Sequence, residues 1–164
     1  ALLELGASGG LNLRADRFCL KVTGRILGAP DSTVRLAPDW DGAGPEGDVP
    51  KVVSRTGGDL NPLDPLSKDG QLRLRAYLWP DQPERMTRTE AAIDIAKANR
   101  AEMSRGDAGA WLEQALSKDM PGVTRVVFHT VAWQYFPSAT RRQAEAALDR
   151  AGAAATEAAA QARI

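Results

Sequence analysis

Short apolar runs stopped by glycine, with apolar positions at helical spacing between them, set the plan of this 164-residue chain. Leu2, Leu3 and Leu5 form the first run and predict a short buried strand over residues 1–5. Gly6-Ala7-Ser8-Gly9-Gly10 follows as a tight turn, and residues 11–18 can open a helix. The glycines of this turn supply positive φ and leave no Cβ where another group comes close. From residue 18 to about 50, extended pieces separated by Gly and Pro predict a small inserted β-hairpin, with Trp40 expected to pack. Lys51-Val52-Val53-Ser54-Arg55-Thr56 predicts a short strand that runs into Gly57-Gly58, then Asp59 and an Asn61-Pro62 turn.

Helical spacing takes over further along. Met86, Ala92, Ile93 and Ala96 form an apolar stripe that predicts a helix over 83–100, with Asp81 as N-cap and Pro83 in the first turn. Residues 101–108 predict a short strand ending in Gly106-Asp107-Ala108, ahead of a helix over 110–116. Residues 123–133 are almost continuously apolar, like a parallel strand buried on both faces, with His129 and Trp133 towards its end and Tyr135 beyond. Ser138 is expected to cap an amphipathic helix over 138–149, and the Ala-rich stretch 151–162 is expected to be helical. Strands alternating with helices predict an α/β fold with a parallel core and helices on both faces.

Composition narrows the class. The length suits a single domain, with 43% hydrophobic and 26% charged residues. Lys+Arg and Asp+Glu are 21 each, so no global basic field draws in nucleic acid or anionic membrane. The one cysteine, Cys19, forbids an internal disulfide and reads as a small core residue. Together with the lack of a signal-peptide pattern, it sets the expectation of a cytoplasmic protein. The chain starts inside a strand without Met, so a fragment of a longer protein with an incomplete core is expected.

A strand, a glycine turn and a helix bring bare backbone N–H groups up to a nucleotide-like ligand. The turn satisfies two patterns, Glu4-x-Gly6-x-x-x-Gly10 and the nucleophile-elbow form Gly6-x-Ser8-x-Gly10. The dinucleotide pattern fails, because Ser8 and Leu11 stand where it needs glycine. Asp59 follows a strand, where an acid accepts ribose hydroxyls, or else it caps its own turn. Asp107 is a natural N-cap for the helix after it. His129 sits where the ligand crevice of an α/β sheet forms, and it is the only histidine.

Glu4-x-Gly6-x-x-x-Gly10, Gly58-Asp59-Leu60-Asn61-Pro62 and Gly106-Asp107-Ala108, in this order, resemble the motifs of class I S-adenosylmethionine-dependent methyltransferases. The chain departs from that family in having Ser8 for the middle glycine and in the long interval between the turn and Asp59, which the inserted hairpin would fill. The chain also resembles an uncharacterised bacterial family. The words that carry this likeness are Leu-Glu-Leu-Gly-Ala-Ser-Gly-Gly-Leu-Asn-Leu, Gly-Asp-Leu-Asn-Pro-Leu-Asp, Leu-Trp-Pro-Asp-Gln-Pro-Glu-Arg and Arg-Gly-Asp-Ala. The methyltransferase resemblance implies a three-layer Rossmann-like fold with sheet order 3-2-1-4 and S-adenosylmethionine as cofactor. It assigns Glu4, Gly6, Ala7, Ser8 and Gly10 to the turn side of the cofactor, Asp59 and Leu60 to the ribose, and Asp107 and Ala108 to the adenine. His129 and Tyr135 then stand as catalytic candidates and Trp133 as a substrate contact, with no metal.

Two other classes compete. A serine hydrolase would use Ser8, Asp107 and His129, which follow the chain order of α/β-hydrolases. A non-catalytic nucleotide-binding module would need only the turn and the acids. No sequence word fixes an acceptor, so a small molecule is the expected substrate by elimination, with no nucleic-acid or membrane partner expected.

Overall fold

The computed structural model describes residues 1–156 and 160–164. Its strands are β1 (Leu2–Leu5), β2 (Cys19–Val22), β3 (Arg25–Gly28), β4 (Arg35–Leu36), β5 (Arg55–Asp59), β6 (Glu102–Arg105), β7 (Arg125–Phe128) and β8 (Gln161–Arg163). Its α-helices are α1 (Lys68–Ala76), α2 (Pro83–Ala98), α3 (Ala108–Leu116) and α4 (Ser138–Ala153). Two 3-10 segments, Leu11–Arg17 and Ala132–Tyr135, complete the elements. The chain divides into two compact units, one of Ala1–Leu13, Val53–Pro62 and Ala101–Ile164, the other of Arg14–Val52 and Leu63–Arg100.

The first unit is a five-stranded sheet in the order β6-β5-β1-β7-β8 with every pairing parallel, flanked by helices in an α/β, Rossmann-like arrangement. Leu3 and Leu5 of β1 point to one face, together with Val127 of β7, and α3 and α4 cover that face. Each helix contributes an apolar stripe at helical spacing, Ala108, Trp111, Leu112 and Leu116 from α3 and Ala144, Ala147, Leu148 and Ala151 from α4. Glu4 lies on the opposite face, level with Gly57 of β5 and Phe128 of β7.

The second unit contains a small sheet in the order β3-β2-β4, in which β2 and β3 form an antiparallel hairpin and β4 runs parallel to β2. Cys19 is buried there, as expected of a small core residue. Trp40, expected to pack, is instead half exposed, with its indole N–H donated to the Ala43 carbonyl. Arg14 is buried, and its Nε donates to the Asn99 carbonyl at 2.8 Å.

Several elements differ from their predicted form. The second strand of the main sheet starts at Arg55, later than the predicted stretch from Lys51, and runs on through the glycines. Val53 is exposed, and β5 holds Gly57 and Gly58 inside the ladder. Packing explains this: a Cβ on Gly57 would lie 2.7 Å from Ala7 Cβ, and one on Gly58 would lie 2.4 Å from Trp111 Cδ2. These glycines make room for neighbours within the ladder. The helix after the glycine turn is only a 3-10 segment, broken at Arg14. The long apolar run supplies just Arg125–Phe128 as β7, which pairs with β1 from Leu2 to Glu4.

Caps differ too. Gln82 takes the N-cap of α2 in place of Asp81, and Pro137 takes that of α4, with Ser138 as the first helical residue. Helix α4 runs on to Ala153, and residues 161–163 are strand, contrary to the predicted Ala-rich helix over 151–162; residues 157–159 lie outside the described ones.

Gly58→Ala should therefore destabilise the fold by about 1–3 kcal/mol, the range for overfilling a packed core. Gly152, helical and with nothing within 4 Å of its missing Cβ, should give the opposite result as Gly152→Ala, a gain of about 0.4–1 kcal/mol. Urea unfolding midpoints of the two variants test both signs.

Candidate functional site

The glycine turn is shaped by its backbone. Gly6 has φ +65° and Gly10 φ +62°, and between them Ser8 adopts φ +52°, a left-handed conformation that costs a non-glycine residue on the order of 1–2 kcal/mol. Hydrogen bonds offset that strain. The N–H groups of Gly6 and Ala7 donate to the Gly58 carbonyl at 2.8 and 3.3 Å. The Ser8 N–H donates to Asp59 Oδ2 at 2.8 Å, and Asp59 Oδ1 accepts the Asn61 N–H, also at 2.8 Å. Beneath the turn Glu4 is 1% exposed, and its Oε1 accepts the Asn12 side-chain amide at 3.0 Å.

On the other side of β5, the Gly106 N–H donates to the Asp59 carbonyl at 2.9 Å and draws the end of β6 alongside. Asp107 then caps α3, where its Oδ1 accepts the N–H groups of Gly109 at 2.9 Å and Ala110 at 3.2 Å. Its Oδ2 accepts the hydroxyl of Thr140, a buried residue in the first turn of α4. The Thr140 hydroxyl is the main cause that holds Asp107 below its ordinary pKa; burial opposes it, and the Ala110 and Gly109 N–H groups add to it. Gly109 permits this meeting of helix ends, since a Cβ there would lie 2.7 Å from the Thr140 carbonyl oxygen.

These ends surround one cleft of about 190 Å³. Its lining follows the strand order, from Gly106 and Asp107 after β6, through Gly58 and Asp59 on β5, to Gly6 after β1 and Ala132 and Phe136 after β7. Ligands of open α/β sheets bind in such a crevice at the carboxyl ends of the strands.

Residues 1–162 match the model of a family described as "Uncharacterized protein conserved in bacteria (DUF2332)". The chain belongs to that family. No curated protein matches it, and no solved structure does.

In this DUF2332 chain, Gly6, Asp59, Leu60, Asp107, Ala108 and Tyr135 line the same cleft. Leu60 is 66% exposed and Tyr135 76%, so both stand at its rim. Ala7, Ser8 and Gly10 belong to the turn and Glu4 lies beneath it, and none of the four lines the cleft. His129 and Trp133 are not in the lining either. Their rings stack at 5.2 Å and 16°, and Trp133 meets Phe136 edge-on at 5.8 Å, so they reach the cleft through Phe136. His129 Nδ1 is buried and finds no hydrogen-bond partner among the described residues.

Ser8 has the strained backbone of an elbow, yet no hydrogen bond joins Ser8, His129 and Asp107 among the described residues. Among these residues there is also no cluster of three His, Cys, Asp or Glu that could hold a metal. No helix among them is long and apolar enough to cross a membrane.

Sequence reasoning missed Gly106, Ala132, Phe136, Pro137 and Thr140 as lining residues. Gly106 adjoins an acid already singled out. Thr140 carries no local signal, since its partner lies 33 positions away.

Thr140→Val should cost roughly 1–2 kcal/mol at neutral pH, the lower part of the range for a hydrogen bond to a charged group, because Asp107 is only partly buried. A depressed folded pKa stabilises above the unfolded value, and that contribution is lost as pH falls through the folded one. The gap between wild type and Thr140→Val should therefore shrink below the ordinary carboxylate range. Denaturant titrations from neutral to acid pH measure it, and a gap that stays constant would sink the ionic role of this bond.

Proposed function

We propose that the cleft binds the adenosine half of S-adenosylmethionine and S-adenosylhomocysteine, and that the chain carries the cofactor site of a cytoplasmic methyltransferase for a small molecule. The observation that carries this reading is the acceptor capacity left on the two carboxylates. An ionised carboxylate has about four lone-pair sites. Asp59 commits one on each oxygen, to Ser8 and Asn61. One therefore remains on each, side by side, which suits two vicinal ribose hydroxyls. Asp107 commits two on Oδ1 and one on Oδ2. A single site remains, which suits one N–H of an exocyclic amine.

The helix start adds a donor. First-turn N–H groups have no acceptor within their helix, and Asp107 serves those of Gly109 and Ala110. The Ala108 N–H is left for a ring nitrogen, and Ala108 lines the cleft. Gly106, with nothing within 4 Å of its missing Cβ, leaves room for a flat ring, while Leu60 and Tyr135 offer apolar surface at the rim. Counting only its own strands, the main sheet reads 3-2-1-4-5, which supports the methyltransferase type of Rossmann-like fold. The balanced charge of the chain favours a small acceptor over nucleic acid.

On this reading Ala7, Ser8 and Gly10 form the turn on the side of the ligand's tail, and Glu4 with Asn12 holds the turn from beneath. Trp133 is assigned to contact with the acceptor, and His129 and Tyr135 would orient it for in-line attack and relieve it of its proton. The bound cofactor would supply an activated methyl group and leave as a thioether.

Calorimetric titration with S-adenosylhomocysteine should show saturable binding, weakened about tenfold or more in Asp59→Ala. Thermal melts would establish that the variant is folded. A folded wild-type protein that releases no binding heat and shows no melting shift with this ligand would overturn the assignment.

A further inference from the structure

We infer that Ala132 and Phe136 set the length of ligand that the cleft accepts, an inference that rests on the adenosine reading above. The lining runs along the sheet edge in the order Asp107, Asp59, Gly6 and then Ala132 with Phe136. A nucleoside whose amine meets Asp107 and whose diol meets Asp59 therefore points its 5′ substituent at Gly6. That path is closed. A Cβ placed on Gly6 would lie 2.2 Å from Ala132 Cβ and 3.6 Å from Phe136 Cζ. The cleft stops there, and Ala7, Ser8 and Gly10 are not among its lining residues. A short neutral substituent such as methylthio ends before this wall, whereas an amino-acid tail has to displace it.

The wall is the 3-10 segment Ala132–Tyr135, which lies at the surface. None of its residues is buried, no side chain caps it at Val131, and Val131 and Tyr135 are exposed. It is attached through the ring ladder His129–Trp133–Phe136 and through the packing of Trp133 and Phe136 against the core cluster. In this closed arrangement His129 Nδ1 is shielded and finds no partner among the described residues, and moving the segment opens it to water or to a ligand. Long ligands thus bind to the fraction of molecules in which the segment has moved, and their affinity is lowered by that fraction. Nucleosides with a short substituent do not pay this cost.

The test is titration of the wild type, Phe136→Ala and Ala132→Gly with 5′-methylthioadenosine and with S-adenosylhomocysteine. Ala132→Gly removes only a methyl group, so it covers the case in which loss of the Phe136 ring unfolds the protein. The wild type should bind methylthioadenosine about tenfold more tightly than S-adenosylhomocysteine, and either variant should narrow that gap about tenfold while leaving methylthioadenosine within about twofold. Equal wild-type affinities, or variants that weaken both ligands alike, would overturn the inference and leave the adenosine reading standing. Absence of binding by both nucleosides to a folded wild type would remove both.

Discussion

The Asp59 carboxylate fastens two loops that the rest of the site depends on. One oxygen holds the Ser8 N–H of the turn after β1, and the other holds the Asn61 N–H of the turn after β5. Both strands are parallel and adjacent, so their ends emerge on the same side of the sheet. Backbone N–H groups at such ends lack ladder partners, and leaving one buried and unmet costs roughly 1–3 kcal/mol. An ionised acid meets two of them at once. The left-handed backbone at Ser8 persists because this acceptor stands where the strained N–H points.

Around that clamp the packing demands small residues. Trp111 of α3 lies against the strand at Gly58, and Ala7 of the turn lies against Gly57. The same principle recurs where the starts of α3 and α4 meet, with Gly109 under the Thr140 carbonyl and the Thr140 hydroxyl on Asp107. Each close approach fixes an acid at a strand end. Positions of Asp59 and Asp107 are thus consequences of core packing, even though both side chains reach the cleft.

Much of this was legible because it is local. The run Leu2–Leu5 before a glycine cluster gives β1 and its turn, and the stripe through Ala92, Ile93 and Ala96 gives α2. Asp107 ahead of an apolar helix reads directly as a cap. What failed was set by distant neighbours. Gly57 and Gly58 look like the stop of a strand until Ala7 and Trp111 occupy the space their side chains would take. The apolar run around Val126 pairs with β1 only as far as Phe128, opposite Glu4, which no local pattern marks. Thr140 looks like an ordinary helix residue until α4 docks on α3.

The electrostatics of the cleft limit the ligand further. Asp59 and Asp107 are both acceptors with spare capacity, and among the described lining residues there is no Lys or Arg. Arg105, beside the cleft in sequence, is turned to the Asn61 side-chain oxygen at 3.3 Å. Two carboxylates a strand apart with no facing cation make an anionic pocket, in which like charges repel more strongly than they do in water. A nucleotide phosphate would be opposed there. A neutral or positively charged nucleoside derivative would not, and it could use both acids as acceptors. On the proposed adenosine reading, the acids that hold the strand ends in place would therefore also sort ligands by charge, before the wall at Ala132 and Phe136 sorts them by length.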